Sequence, residues 1–166
     1  MLLRYRLSLL LLLFRFTAAF ALSGDTIAVA TWNIQNLGSS KSDQEIAFMA
    51  SQLKRFDIVA VQEVVAGIGG APAVARLADA LNRTGNKWDY STSDPTYSTK
   101  GSTERYAFFW KTSRVQRVGR PFLASSYRLE IEREPYLMDF RLGENRFTLV
   151  SMHAIPKPKQ PEREIK

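Results

Sequence analysis

The chain has 166 residues, with 23 Lys and Arg against 16 Asp and Glu, one His, no Cys and 45% hydrophobic residues. That length and composition fit one packed domain and exclude wholesale disorder, collagen-like repeats and low-complexity scaffolds. Without cysteine there is no disulfide framework, thiolate zinc site, iron–sulfur cluster or thiol nucleophile, and a single histidine excludes any site needing two.

The chain opens with Arg4 and Arg6, an apolar run from Leu7 to Phe14, and Ala19-Phe20-Ala21 in a small-x-small pattern. This is the form of a secretory signal peptide over residues 1–21, implying a secreted or periplasmic protein. The run is about half the length a spanning helix needs and is interrupted by Arg15, so a stable membrane anchor is not expected. Residues 1–21 contribute three Arg and no acid, which leaves 145 residues at a net charge of +4, against +7 for the whole chain. The basicity is therefore mild.

Ile27 to Asn33 reads as a buried strand delivering Asn33 to a sheet edge, with Leu37-Gly38-Ser39-Ser40 as the loop beyond. Ser42-Asp43-Gln44-Glu45 fits a capping box, and Ile46, Met49, Ala50 and Leu53 follow at helical spacing. Asp57 to Glu63 is an apolar run, a strand buried on both faces and ending in Glu63. Gly67, Gly69 and Gly70 form a turn into a second helix, with Pro72 in its first turn, Val74, Leu77, Ala78 and Leu81 on one face, and Gly85 as its stop. A phosphate-cradling role for that turn is disfavoured because no P-loop Lys follows it. From Trp88 onward the pattern is strands: Trp88 to Ser91, Arg105 to Lys111, Val115 to Val118, and a hairpin of Pro135 to Arg141 with Arg146 to His153. Ala154 to Lys166, with three prolines, reads as loop. The whole is a mixed α/β arrangement of sheet with helical cover.

Singly, Asn33, Glu63, Glu104 and His153 each have a bland reading as a turn cap, a solvated carboxylate or a packed imidazole. Together they suit phosphoester chemistry. A carboxylate can hold a hard divalent cation, an amide can orient a ligand, and an imidazole can donate to a phosphoryl group. Glu104 beside His153 would fix the ring's tautomer, and Arg133 is the candidate to offset charge on the phosphate.

Thr31-Trp32-Asn33-Ile34, Asp57 to Val64 ending in Gln62-Glu63-Val64, Glu104-Arg105-Tyr106, Arg133-Glu134-Pro135 and Ser151-Met152-His153-Ala154 occur in an order that resembles the deoxyribonuclease I-like endonuclease/exonuclease/phosphatase superfamily. The resemblance runs from about Ile27 to the C-terminus. It implies a four-layered α/β sandwich, with Glu63 as principal Mg²⁺ ligand (or Mn²⁺, with Ca²⁺ as a structural ion), Asn33 beside the metal, Glu104 as partner of His153 and Arg133 near phosphate. The substrate it implies is a phosphodiester, DNA before others; separately, a monomer is expected. The family's later Asp-x-Asn and Asp-His pairs are not found, and 145 residues fall short of the 200–250 of such sandwiches. The expectation is therefore the first half of the fold, truncated and slow or inactive alone. Two minor-groove readers of the family's deoxyribonucleases are replaced by Val65 and Ser102. The alternatives are a lipid or inositol phosphatase, a sphingomyelinase, or a non-catalytic nucleic-acid-binding fragment.

Overall fold

The computed structural model describes residues 26–98, 101–156 and 161–164, so the signal-like segment 1–21 lies outside the described residues. The elements run β1 (Val29–Leu37), α1 (Asp43–Leu53), β2 (Ile58–Val65), α2 (Gly70–Asn82), β3 (Trp88–Thr92), β4 (Glu104–Lys111), β5 (Gln116–Leu123), β6 (Tyr136–Leu142) and β7 (Asn145–Ser151). Short 3₁₀ turns cover Ser125–Tyr127 and Pro161–Glu164, the latter inside a stretch expected to be loop throughout. Among the described residues, no helix is long and apolar enough to cross a membrane.

One sheet has the order β1-β2-β4-β3 and the second β5-β6-β7. β1 and β2 are parallel, as a βαβ crossover through α1 requires, and the remaining pairings are antiparallel. β2 and β4 are central and apolar on both faces. Val59, Val61 and Phe109 pack under α1 and α2. Ile58, Ala60, Tyr106, Phe108 and Trp110 instead face Tyr136, Met138 and Phe140 of β6. The layers are thus helices, sheet, sheet. The fourth, helical layer of the expected sandwich is not present among the described residues, where Phe122 and Val150 of the second sheet remain exposed.

α1 begins with the reciprocal capping box that its sequence spells. The Ser42 hydroxyl accepts from the Glu45 backbone N–H, and the Glu45 side chain accepts from the Ser42 N–H at 2.7 Å. The helix buries Ile46, Met49, Ala50 and Leu53, the predicted face. α2 starts against β2, where a Cβ on Gly70 would stand 1.8 Å from the carbonyl oxygen of Val65. The glycine turn is therefore a close-packing device between strand and helix.

Two boundaries differ from expectation in ways that shape the site. β1 continues past Asn33 to Leu37, and β5 extends to Leu123. Beyond Asn33 the β1–β2 pairing is irregular: Asn33 opposes Gln62, and the next pair is Leu37 with Val64. Gln35 and Asn36 have positive φ there (48° and 59°), and so does Glu63 in the neighbouring strand (58°). On the other side of β2, Val61 opposes Ala107 and Val64 opposes Arg105, so two residues of β2 face one of β4. This β-bulge resets the phase of the strand. Val64 returns to the helix-facing core with Val59 and Val61. Strict alternation would have sent Glu63 into that apolar layer and Val64 away from it.

Candidate active site

The bulges in β1 and β2 lie abreast, and they bring Asn33 and Glu63 together. The Asn33 carboxamide oxygen accepts from the Gln35 N–H at 2.9 Å, which fixes the orientation of the amide. Its nitrogen donates to Glu63 Oε1 at 2.7 Å. On the far side of Glu63, His153 Nε2 stands 3.8 Å from the same oxygen. The Glu63 side chain is 26% exposed and that of His153 24%, so both remain open to solvent.

Behind this open edge is a buried brace. His153 Nδ1 meets Glu104 Oε2 at 2.8 Å. An ionised carboxylate only accepts, so Nδ1 carries the proton and Nε2 faces outward toward Glu63. Glu104 is buried and its other oxygen accepts from the Glu63 backbone N–H at 3.3 Å. Glu104 thereby holds both the backbone that bears Glu63 and the ring of His153.

Arg133 sits differently from the phosphate-facing role expected of it. Nε donates to the His153 carbonyl and Nη2 to the Ala154 carbonyl, each at 3.0 Å, and Nη1 lies 3.4 Å from Glu104 Oε2. The residue is buried. Its guanidinium is turned inward because three acceptors converge on it, and it braces the His153 loop against Glu104. All five residues singled out from sequence thus converge: Asn33, Glu63 and His153 at the open edge, Glu104 and Arg133 beneath it.

Sequence reasoning missed Tyr106. Its hydroxyl accepts from the His153 N–H at 3.2 Å and donates to the Arg133 carbonyl at 3.4 Å. Burial, and then the charge of Glu104, push its pKa upward, so the phenol stays neutral and able to donate. The alternation of β4 could have found it, since Glu104 and Tyr106 are two apart and share a face. Gln62 was also overlooked as a functional group. Buried next to Glu63, it donates to the Thr31 hydroxyl at 3.0 Å and to the Ser151 hydroxyl at 2.7 Å. That ties together the strands carrying Asn33 and Glu63 and the strand that leads into His153, and a lone amide in an apolar run is the sequence signal for such a tie.

Among the described residues no group of three or more His, Cys, Asp or Glu side chains is placed to hold a metal ion. The open edge does offer one carboxylate, Glu63, whose Oε2 is not engaged by any described residue, while its Oε1 accepts from the Asn33 amide nitrogen. An oxygen-only, solvent-open donor set of this kind fits Mg²⁺, which keeps several waters and takes one or two carboxylates together with substrate phosphate oxygens. It does not make a closed cage.

No family model matches the chain. A protein of Thioalkalivibrio sp. (strain K90mix) named deoxyribonuclease is 34% identical over 118 residues, which cover 69% of this chain and 30% of that protein. Among solved structures, an endonuclease/exonuclease/phosphatase family protein from Leptotrichia buccalis aligns over 84% of this chain and 59% of its own, with a TM-score of 0.58 and 15% identity. A humanised D. rerio TDP2 aligns over 84% and 55%, with a TM-score of 0.59 and 15% identity. The chain thus spans less than a third of the curated relative and somewhat over half of each solved chain. With motifs in order and two packed sheets to match, the chain has the deoxyribonuclease I-like fold and resembles the endonuclease/exonuclease/phosphatase superfamily.

Proposed function

We propose that this protein is an exported, Mg²⁺-dependent phosphodiesterase that hydrolyses phosphodiester bonds of DNA. The observation that carries the reading is the convergence of Asn33, Glu63, Glu104 and His153 at one open sheet edge. The name of the deoxyribonuclease relative supports the choice of DNA, and the signal-like N-terminus supports export.

Glu63, with Asn33 beside it, would hold the cation, which when bound neutralises charge on the phosphoryl oxygens. The chain's own residues do the rest. Glu104 keeps His153 Nδ1 protonated and the ring in plane, so that Nε2 presents to the phosphoryl group as donor or proton acceptor. The Asn33 amide, anchored through the Gln35 N–H, positions the Glu63 carboxylate. Arg133 and Tyr106 hold the main chain of His153, so the imidazole reaches the phosphate already oriented.

The test is cleavage of plasmid DNA by the full-length protein. Glu63→Gln and His153→Ala should each lower the Mg²⁺-dependent rate by about 100-fold or more, because each removes stabilisation acting on the transition state. Parallel assays on sphingomyelin and phosphoinositides separate a nuclease from a lipid-directed enzyme of the same fold.

A further inference from the structure

Glu164 is buried, 7% exposed, and closes the short 3₁₀ turn Pro161–Glu164. Its two carboxylate oxygens go to two different stretches of main chain. Oε1 accepts from the Glu132 N–H at 2.8 Å, and Oε2 accepts from the Ile155 N–H at 2.9 Å. Glu132 stands directly before Arg133, and Ile155 two residues after His153. One side chain thus joins the segment that bears Arg133 to the loop that bears His153.

Arg133 joins the same two segments from the opposite direction, since its guanidinium donates to the carbonyls of His153 and Ala154. Tyr106 takes the His153 N–H and Glu164 the Ile155 N–H. Two N–H groups and two carbonyls of residues 153–155 are therefore held by three side chains from separate parts of the chain. Segment 132–134 is anchored in turn to the loop ahead of β4. The Glu132 carboxylate accepts from the Ser98 hydroxyl at 2.6 Å, and the Glu134 carboxylate accepts from the Tyr97 N–H at 2.8 Å. β4 opens with Glu104, so Glu164 ties the His153 loop to a segment already fixed to the side of the centre that carries Glu104.

The position calls for a carboxylate. Both partners are N–H donors, so both side-chain oxygens must accept. A carboxamide offers one acceptor and turns an NH₂ toward the second donor. A buried carboxylate is costly unless hydrogen-bonded, and the two main-chain donors meet that need.

We propose that Glu164 is a positioning residue of the centre: by bridging the Glu132 and Ile155 N–H groups it fixes where the His153 loop stands, and so keeps His153 Nδ1 on Glu104 and Nε2 at the open edge. Its effect on rate rests on the phosphodiesterase reading above, whereas its effect on the ring of His153 holds without substrate or cation.

His153 is the single histidine of the 166-residue chain, so its imidazole resonances are assigned by composition. The experiment measures solvent exchange of its Nδ1–H by NMR on the metal-free full chain, alongside kcat and KM for Mg²⁺-dependent DNA cleavage. Glu164→Gln should speed exchange by about tenfold or more, the factor expected when a charge-assisted hydrogen bond in the loop is lost. It should lower kcat by about tenfold or more at an unchanged KM, because the imidazole is displaced and not removed. Glu164→Asp, with both acceptors on a stem one methylene shorter, should lie between the wild type and Glu164→Gln. Lys111→Met is the control for general loosening, since it removes an ion pair with Asp57 at the end of β4 opposite Glu104. It should lower the melting temperature, as the Glu164 variants do, yet leave exchange and kcat at wild-type values. Exchange at the wild-type rate in Glu164→Gln, or in Glu164→Asp should the former not fold, would overturn the proposal, as would exchange speeded equally by Lys111→Met. If the wild type cleaves DNA in that case, the phosphodiesterase reading stands without the Glu164 bridge. Faster exchange in the Glu164 variants of a protein with no Mg²⁺-dependent cleavage removes the phosphodiesterase reading and leaves Glu164 as the residue that holds His153.

Discussion

His153 is held at three points, and Ala154 beside it at a fourth. Its Nδ1 meets Glu104, its N–H meets the Tyr106 hydroxyl, and its carbonyl and that of Ala154 receive Arg133. Such over-determination suits an imidazole that must meet a substrate without searching for its rotamer. Removing the guanidinium exposes the dependence. Arg133→Met should cost about 3 kcal/mol, because it leaves Glu104 buried without its guanidinium partner and two carbonyls unpaired. Urea unfolding measures this directly. The buried Tyr106 gives a pH signature. Its pKa is raised in the fold by burial and by Glu104, and that of Tyr136 is raised mainly by burial. Both therefore hold their protons to higher pH folded than unfolded. The stability they contribute is complete below the ordinary tyrosine value, about pH 10, and is lost as pH rises through the raised folded values. The urea midpoint should fall on the alkaline side of pH 10, and Tyr106→Phe should flatten that fall.

At the scale of elements, the site depends on strands that break their own regularity. Glu63 and Gln35 adopt left-handed backbone, which costs a non-glycine residue on the order of 1 kcal/mol or more, and the bulges so formed turn Asn33 and Glu63 to one edge. The turn into α2 is equally specific. Gly70→Ala would drive a Cβ into the Val65 carbonyl, and a loss of about 3 kcal/mol is expected, readable as a lowered melting temperature. At α1, Ser42→Ala should cost about 1 kcal/mol. Hydrogen bonds from Ser42 lower the pKa of Glu45, so this cap's contribution is present above the ordinary carboxylate value and fades as pH falls below it.

Much of this was legible in the residues. The capping box and the 3-4 spacing placed α1 and its buried face, and the uniformly apolar Ile58 to Val61 stretch identified a central strand, because both signals come from local burial. The bulges were not legible. Gln35, Asn36 and Glu63 carry no glycine to announce positive φ, and their conformation is set by partners in neighbouring strands. The inward turn of Arg133 was hidden for the same reason, since its acceptors lie about 20 to 30 residues away in sequence.

For the whole molecule, two sheets pack face to face, and the candidate centre lies where their strand ends meet. β1, β2 and β4 deliver Asn33, Glu63 and Glu104 from the first sheet, while β7 of the second leads into His153. The Gln62–Ser151 hydrogen bond links the sheets directly beneath. Any shift of one sheet on the other would therefore part His153 from Glu63, and activity should be lost before secondary structure under mild denaturant. The central claim is that this edge hydrolyses phosphodiesters through Glu63 and His153. Its most direct test is the Mg²⁺-dependent nicking rate of supercoiled plasmid by the full-length protein and by Glu63→Gln and His153→Ala. The account predicts cleavage by the wild type that falls by about 100-fold or more in each variant. Equal rates in all three, or no Mg²⁺-dependent cleavage by the wild type, would contradict it.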